Sequence, residues 1–373
     1  MNRKQLEASK FKGEIEGLVR LAEKMRADDK NPLDISFAEI LKEKHNITYD
    51  AFLAEIGLNL NTDTISNIVT TQNVDVRWII PEIFRDALRL GLRKAPIWNN
   101  ITAVETQING LSVVMPHIDP SDATPRIVGE AETIPTGTIQ VGQKTVNIFK
   151  IGKGIKIPYE VTQYASLDVV GIFLQDMGVK LGLGLDTLAI DTIINGEQAN
   201  GSESAPVIGV TTATARVYAD YLRAWIRLSR IGRQANTIIG GEAAALETLD
   251  LPEFKTNING GMAPSGVPSS SALDLKTPVP TRSAYYIHGN VPTDQEIIMD
   301  TASTLIKFNA QPLLVESEKI VSNQTTAFYA SLTTGFAKLF RDSAIVMDKS
   351  QTIIALPFPA YMDVDPLENV IFE

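Results

Sequence analysis

Cysteine is absent from this chain of 373 residues, and histidine is nearly absent. The lack of cysteine excludes disulfides, thiolate metal sites and cysteine nucleophiles together. The three histidines are His45, His117 and His288, which lie far apart in the chain without the spacing of metal ligands. The sequence therefore predicts no metal centre.

Long uncharged apolar runs are also missing. No run has the length needed to cross a bilayer, and the charges of residues 1–5 are not followed by the apolar core of a secretory signal. Hydrophobic residues make up 44% and charged residues 21% of the chain, which is ordinary for a soluble globular protein. We expect a soluble intracellular protein that does not bind a membrane.

Positive charge is scarce, since 34 Lys and Arg stand against 44 Asp and Glu, for a net charge of -10. Phosphate contacts need clustered Lys and Arg, so the overall charge does not favour wholesale nucleic-acid binding. A local exception is a basic stripe at every fourth position of the helix predicted after Pro81. The stripe comprises Arg85, Arg89, Arg93 and the adjoining Lys94. It predicts a contact with packaged nucleic acid or with an acidic neighbouring subunit, or else an ordinary solvated face that forms ion pairs.

Signatures of catalysis and cofactor binding are missing as well. No serine stands in a nucleophile elbow, and no Walker or dinucleotide loop is present. The turn at Gly240-Gly241 lacks the lysine and the glycine spacing of a phosphate loop. Asp363 and Asp365 could touch a cation, but two carboxylates in a proline-rich segment are usually solvated. The sequence predicts a structural or interaction protein, without catalysis and without a cofactor.

The stretch from about residue 125 to residue 195 is the most informative part of the chain. It predicts a long two-stranded excursion followed by one very long helix. Ser166 is a suitable N-cap, and Gly196 is a suitable C-terminal stop. About 28 helical residues at about 1.5 Å each span roughly 42 Å, which is long for a globular protein. Such a helix beside a protruding hairpin predicts a subunit that reaches its neighbours.

This predicted helix contains four glycines: Gly171, Gly178, Gly182 and Gly184. Each costs about 0.8–1 kcal/mol relative to alanine in a helix interior, or roughly 3–4 kcal/mol together. Close approach of another backbone along the glycine face is the compensation that we expect.

The strand predicted before the helix, from Lys144 to Ile157, contains four lysines: Lys144, Lys150, Lys153 and Lys156. Lysines at such positions protect an exposed edge from indiscriminate pairing. Its alternation of apolar residues changes near Gly152 and Gly154, which predicts a bulge or a bend there.

Other elements are predicted by periodicity and by capping signals. Three helices are predicted near the N-terminus. They are an amphipathic helix over residues 3–27, a helix that begins at the capping box of Ser36 and Glu39, and a helix that begins at Thr48. Residues 101–117 are predicted to be extended, with Asn109-Gly110 as a hairpin turn. Further elements are predicted as a helix over 217–230, a buried strand over 237–239 and an exposed loop over 259–282.

The order of these features resembles the major capsid proteins of tailed double-stranded DNA bacteriophages, which have the HK-ninety-seven-type fold shared with encapsulins. The resemblance covers roughly residues 75–348. It rests on Val128-Gly129-Glu130-Ala131-Glu132, on residues 144–151, and on the two ends of the long helix. It resumes at residues 236–239, at Thr277-Pro278-Val279-Pro280 and over 313–348.

The resemblance implies an α+β fold with named parts. These are an N-terminal helical arm (1–75), the start of a peripheral P domain (76–117), an extended E-loop (118–157), the P-domain spine helix (158–207), an axial A domain (208–312), P-domain return strands (313–349) and a C-terminal extension (350–373). Residues 1–60 go beyond the minimal pattern of the family. We expect them to be retained and to contribute to subunit contacts.

The resemblance also implies a function: a shell protein of the virion that assembles in the host cytoplasm into pentamers, hexamers and an icosahedral head around double-stranded DNA. The implied partners are further copies, a portal, possible cement proteins and DNA bound weakly. The E-loop residues expected at intersubunit contacts are Arg126, Glu130, Glu132, Lys144, Lys150 and Lys153. Some relatives join an E-loop lysine to an asparagine of a neighbour, and Lys144 lies in the corresponding region. An encapsulin-like compartment around a cargo enzyme is the alternative.

Overall fold

The computed structural model describes most of the chain. The described residues are 15–28, 36–58, 63–64, 79–94, 97–117, 125, 127–130, 132–134, 136, 140–164, 166–196, 204–251, 272–275 and 283–362. Helices and strands are both abundant over these ranges, so the α+β class predicted from the sequence is confirmed.

The helices and strands have well-defined bounds. The helices are α1 (Ile15–Asp28), α2 (Phe37–His45), α3 (Tyr49–Ile56), α4 (Ile79–Lys94), α5 (Trp98–Ile101), α6 (Tyr159–Tyr164), α7 (Leu167–Asn195), α8 (Tyr218–Arg230) and α9 (Glu242–Asp250). The strands are β1 (Thr102–Gln107), β2 (Ser112–His117), β3 (Gln140–Asn147), β4 (Phe149–Pro158), β5 (Val207–Val210), β6 (Thr237–Gly240), β7 (Ala272–Leu275), β8 (Ser283–Ile287), β9 (Gln295–Met299), β10 (Leu305–Ile320), β11 (Thr325–Lys338) and β12 (Ala344–Thr352).

The predicted capping box at the start of α2 is present. The Glu39 backbone N–H donates to Ser36 Oγ at 3.0 Å, and the Ser36 backbone N–H donates to Glu39 Oε2 at 2.9 Å. These two bonds satisfy amides that the first helical turn leaves without partners. Behind the cap, the rings of Phe37 and Phe52 pack edge to face with centroids 5.8 Å apart. Both side chains are fully buried in the largest apolar core, so helices α2 and α3 are part of that core.

The long helix α7 has the ends that the sequence predicted. It runs for 29 residues, with Ser166 as N-cap in extended backbone and Gly196 as C-cap at a φ of 74°. A positive φ favours glycine, which has no Cβ to clash with the backbone. Helix α4 packs lengthwise on α7, and α7 in turn lies on strands β4 and β11.

A four-stranded sheet in the order β1-β10-β11-β4 lies under α4 and α7. Strands β1 and β10 are parallel, and the other two pairs are antiparallel. Phe84 of α4 meets Phe328 of β11 edge to face at 4.5 Å between centroids. Aromatic side chains bury large areas, so this contact helps fix the helix layer on the sheet.

A six-stranded sheet in the order β5-β12-β9-β6-β8-β7 forms the second half of the molecule. Helix α8 buries Tyr221, Ala224 and Leu228 in the core of this half. Gly232 follows the helix with a φ of 78°, a backbone conformation that favours glycine. Strand β6 is buried throughout, as its short apolar run predicted.

A two-stranded antiparallel ribbon of β2 and β3 adjoins the four-stranded sheet, where β3 contacts β11. The prediction that Asn109-Gly110 turns a hairpin within 101–117 is wrong, because β1 pairs with β10 and β2 pairs with β3. The bulge expected near Gly152 and Gly154 is also wrong, since β4 keeps continuous register with β11. The alternation changes because the chain leaves the ribbon at Asn147 and enters the sheet at Phe149.

The predicted domain boundaries stay a prediction. Near them, the ribbon begins at Ser112, strand β10 joins the four-stranded sheet from Leu305, and strand β12 belongs to the six-stranded sheet. Within the predicted loop at 259–282, the structure describes only residues 272–275, and these form strand β7.

Candidate functional site

A groove runs between strand β4 and the first half of helix α7. Its volume is about 370 Å³. Its base is formed by buried apolar side chains: Ile157, Val170, Leu174 and Met177. Its rim is apolar and exposed, with Phe173 63% exposed and Val161 and Val169 each 43% exposed. An apolar groove with an exposed apolar rim is typical of an interaction surface.

Strand β4 also presents a sheet edge. It pairs with β11 on one side, and no described strand pairs with its other side. Lys150, Lys153 and Lys156 are exposed along this strand, and Lys153 and Lys156 border the groove. Lys180 closes the groove on the helix side, where its Nζ lies 2.8 Å from Asp176 Oδ2. The result is an apolar groove bordered by two lysines of β4 on one side and by the Lys180–Asp176 ion pair on the other.

The ribbon that precedes β4 carries the opposite charge at its far end. A tight turn there is closed by two hydrogen bonds: Gly129 N–H donates to Glu132 Oε2 at 3.0 Å, and Glu132 N–H donates to the Gly129 carbonyl at 3.1 Å. Glu130 and Glu132 are exposed, as are the apolar Ile127 (65%) and Ile134 (71%). The turn therefore offers apolar and acidic side chains together.

For two of the predicted E-loop contact residues, Arg126 and Lys144, the structure gives no side-chain environment. Arg126 lies outside the described residues. Lys144 lies on β3 with its backbone opposite Met115 of β2, and its side chain is not described. Crosslinking through Lys144 stays a prediction.

The four glycines of α7 do not share one environment. Gly178 lies against the backbone of α4, where an added Cβ would overlap the Leu88 carbonyl. A Cβ at Gly182 would meet the Leu92 carbonyl oxygen at 3.4 Å, an ordinary contact. Among the described residues, no atom lies within 4 Å of a Cβ added at Gly171 or Gly184. Close approach of another backbone at those two positions stays a prediction.

The predicted basic stripe does not form one exposed face, which corrects the sequence-based expectation. Arg85 and Arg89 are each only 7% exposed. Arg85 pairs with Glu82 on the preceding turn, and Arg89 Nη2 lies 3.9 Å from Glu39 Oε2 of α2. Arg93 and Lys94 are exposed at the end of α4. The physical reason is that helices α1 to α3 cover the face of α4 that carries the first two arginines.

Sequence reasoning missed two buried carboxylates. Asp186 in α7 is fully buried, and its Oδ1 accepts from the backbone N–H groups of Ile97 (2.9 Å) and Trp98 (2.7 Å) at the start of α5. Burial raises the pKa of Asp186 to about 7, and the two hydrogen bonds oppose that rise. The signal in the sequence that could have revealed Asp186 was its position as an acidic residue among the apolar residues of the long helix.

Glu296 is the second buried carboxylate, at the start of β9. Its Oε1 accepts from Tyr285 Oη (2.7 Å) and Thr248 Oγ1 (2.8 Å), and its Oε2 accepts from Tyr221 Oη (2.6 Å). Arg216 Nε lies 3.6 Å from Oε2. Burial raises the pKa of Glu296, while Arg216 and the three hydroxyls oppose the rise. The cluster ties α8, α9, β8 and β9 together.

No arrangement for metal binding is found in the part of the chain that the structure describes, where no three His, Asp or Glu side chains come together suitably. Within the same described ranges, no helix is both long enough and apolar enough to span a membrane. The surfaces that stand out are therefore the groove, the strand edge and the acidic turn.

Several solved structures are similar to this one at low sequence identity. One is the virus-like particle from Pyrococcus furiosus, with a TM-score of 0.48 and 14% identity over 71% of this chain and 97% of that chain. The capsid of the native GTA particle has a TM-score of 0.49 and 10% identity over 67% and 89%. Mycobacterium phage Adephagia has a TM-score of 0.47 and 12% identity over 68% and 90%. No model of a known protein family matches the sequence, and no curated protein matches it.

Proposed function

We propose that this chain is a shell protein whose copies assemble into pentamers and hexamers and close into an icosahedral head around double-stranded DNA. The role is structural and involves no catalysis. The observation that carries the proposal is that the residues which the structure describes leave an apolar groove and the adjacent edge of β4 uncovered. Both are surfaces that a second copy would cover.

The apolar surface of α7 supports assembly energetically. Ile172 and Phe173 are 60% and 63% exposed in the subunit, and Tyr164 just before the helix is 83% exposed. Burying a side chain of this size contributes about 1.5–3 kcal/mol. Specific interfaces bury roughly 1,200–2,000 Å² in total, so a helix of 29 residues offers enough length for one.

Charge and shape together favour the ribbon of an adjacent copy as the occupant. Its turn offers Glu130 and Glu132, and the groove is bordered by Lys153, by Lys156 and by the ion pair of Lys180 with Asp176. The exposed Ile127 and Ile134 flank the acidic pair and match the apolar floor. We place the acidic turn of one copy over the groove of the next, with Lys150 and Lys153 at the contact.

A heterologous contact of this kind generates a ring when the rotation between copies closes. Pentamers and hexamers are rings of that type. In the proposed head, the portal and any cement proteins would contact these rings, and DNA would be held by weak, non-specific contacts. Arg93 and Lys94 are the exposed part of the basic stripe, and any contact of the stripe with a neighbour or with DNA would be made there.

Electron microscopy of the purified protein, with an assay of enclosed nucleic acid, tests the proposal. We expect closed shells of uniform size that protect double-stranded DNA from nuclease. Shells that enclose a protein cargo without DNA would instead indicate the encapsulin-like alternative. A protein that stays monomeric over a wide concentration range would contradict both.

A charge exchange tests the contact itself. Glu130→Lys with Glu132→Lys is expected to abolish assembly while the subunit stays folded, since both side chains are exposed. Adding Lys153→Glu and Lys156→Glu to that variant should restore assembly at least in part. Failure of the combined variant to recover any assembly, with a folded subunit, would argue against this pairing.

A further inference from the structure

One face of the four-stranded sheet carries the helix layer, and the opposite face is exposed. On β11, Phe328, Ala330 and Leu332 are buried in the largest core, whereas Tyr329 between them is 38% exposed. Successive side chains of a strand point to opposite sides of a sheet. We call the exposed side the open face. Its central residues are Gly154 and Lys156 of β4, Ala327 and Tyr329 of β11, and Glu316 and Glu318 of β10.

The strand register arranges these residues in two rows. In one row, Lys156 lies opposite Ala327, which in turn lies opposite Glu318. The next row contains Gly154, Tyr329 and Glu316. Residues directly opposite each other point to the same side of a sheet. The open face therefore has a positive column on β4 and a negative column on β10, roughly 10 Å apart, with the uncharged column of β11 between them.

The charges of the two columns are not paired with each other within the subunit. Lys156, Glu316 and Glu318 are all exposed, and among the residues that the structure describes none of the three forms an ion pair. A second molecule with the reverse order of charges would therefore complement the open face.

The centre of the open face is low, so another sheet can approach it. The ring of Tyr329 lies against the backbone of Gly154, where an added Cβ would be 2.6 Å from its Cδ1 atom. Gly152, the preceding residue of β4 on this face, also has no side chain, and Ala327 has a small one. Two sheets that pack face to face lie about 10 Å apart, and neither glycine obstructs that spacing.

A second copy of the same chain has the reverse order of charges when it is turned about one particular axis. A two-fold axis that runs along β11, in the plane between two open faces, superimposes the rows and exchanges the columns. Lys156 then faces Glu318 of the second copy, and the two Tyr329 side chains meet at the axis. An axis across the strands would instead place each column over the same column. Self-complementarity of this kind is the property of an isologous contact.

We propose that two copies pair through their open faces about a two-fold axis along β11. The strands of the two sheets keep the same direction, as in aligned sheet packing. The contact of the acidic turn with the groove, here called the ring contact, joins copies head to tail, whereas this pairing joins copies of different rings. It does not rest on the ring contact, because Tyr329, Glu316 and Glu318 line neither the groove nor the acidic turn. Lys156 borders the groove as well, so the glutamates are the residues to change first.

Crosslinking through a single thiol tests the pairing. Ser331→Cys places a thiol on the open face next to Tyr329, in a chain that has no cysteine. A bis-maleimide with a reach of about 10 Å, the spacing of packed sheets, should link two such copies into a covalent dimer on a denaturing gel. Ser317→Cys is the matched control. Ser317 is exposed on β10 but lies opposite Phe328, on the other face of the sheet, and should give no dimer.

Reversing the negative column tests the charge pattern. Glu316→Lys with Glu318→Lys should lower the dimer yield from Ser331→Cys about tenfold, because like charges then face each other across the axis. Adding Lys156→Glu restores opposite charges and should restore the yield. Glu43→Lys with Glu242→Lys is the control, since it changes the net charge equally at exposed positions on α2 and α9 and should leave the yield unchanged.

The outcomes separate this pairing from the proposed shell function. Equal dimer yields from Ser331→Cys and Ser317→Cys would overturn the pairing, as would a yield that the charge reversal leaves unchanged. A yield that disappears in Glu130→Lys with Glu132→Lys would also overturn it, because the ring contact would then be what brings the thiols together. Dimers that persist in that variant, or in a protein that forms no closed shells, support the pairing even where the shell function fails.

Discussion

Gly91 of α4 and Gly178 of α7 face each other where the two helices cross. A Cβ added at Gly91 would lie 2.9 Å from the Cα of Gly178, and one added at Gly178 would lie 3.1 Å from the Cα of Gly91. A Cβ at either position would also overlap a backbone carbonyl oxygen, that of Gln175 for Gly91 and that of Leu88 for Gly178, so the two backbones touch only because both residues lack a side chain. The packing gained there offsets the cost of glycine in a helix interior, which is about 0.8–1 kcal/mol for each residue.

The first prediction concerns this crossing. Gly178→Ala is expected to destabilise the subunit by roughly 1–3 kcal/mol, because the added methyl group overlaps the Leu88 carbonyl and the helices must move apart. Gly178→Leu should prevent normal folding or shell formation. Urea denaturation followed by circular dichroism gives the free energy of unfolding.

Gly184→Ala is the matched control on the same helix. It should stabilise the subunit by about 0.5–1 kcal/mol, because the described structure leaves the position open and alanine favours the helix. If assembly is nevertheless impaired, another subunit approaches at that glycine. Equal effects of Gly178→Ala and Gly184→Ala on stability would contradict the crossing.

The second prediction separates assembly from folding at neighbouring residues. Phe173 is 63% exposed and Leu174 is 1% exposed. Phe173→Ser should block assembly and leave the free energy of unfolding of the subunit nearly unchanged. Leu174→Ala should cost about 2–5 kcal/mol of subunit stability. Ile354→Ser, at a side chain 91% exposed and outside the groove, should affect neither quantity. Sedimentation velocity and urea denaturation report the two outcomes.

The third prediction is a pH dependence from Asp186. Its pKa is about 7 in the folded chain and 3.8 as the reference value, so the folded state binds the proton more tightly. The stability that this proton contributes is complete below about pH 3.8 and is lost as the pH rises to about 7. At about 1.4 kcal/mol per pH unit between pH 3.8 and about pH 7, the loss is roughly 4 kcal/mol.

Asp186→Asn isolates this effect. Its side-chain carbonyl can still accept from the Ile97 and Trp98 N–H groups, and it carries no charge at any pH. The variant should lose less stability between pH 5 and pH 8 than the unchanged chain does, as measured by urea denaturation. Identical losses in both proteins would show that Asp186 is not the group that titrates.

The fourth prediction concerns the buried pair of Arg216 and Glu296. Arg216→Met leaves a buried carboxylate without its cation and should cost about 3–5 kcal/mol near pH 8. Adding Glu296→Gln removes the uncompensated charge, so the double variant should be more stable than Arg216→Met alone. A double-mutant cycle measures the coupling. Additive losses would contradict a direct interaction between the two side chains.

Local signals in the sequence were sufficient for single elements. Ser36 with Glu39 predicted a capping box, and Ser166 and Gly196 predicted both ends of α7, because caps and stops depend on residues within a few positions. The lysines between residues 144 and 157 likewise predicted an edge strand. Among the described strands, β4 does lie at the edge of its sheet. The four glycines showed that something must approach the long helix, but not what.

Strand partners and the burial of charge were decided only by the tertiary structure. The spacing of Arg85 and Arg89 on one face of a helix is fixed by the sequence, yet helices distant in the chain determine that this face is buried. The pairing of β1 with β10, the entry of β12 into the six-stranded sheet and the meeting of Gly91 with Gly178 all join residues far apart in sequence. Such contacts depend on the relative positions of whole elements, which no local pattern of residues specifies.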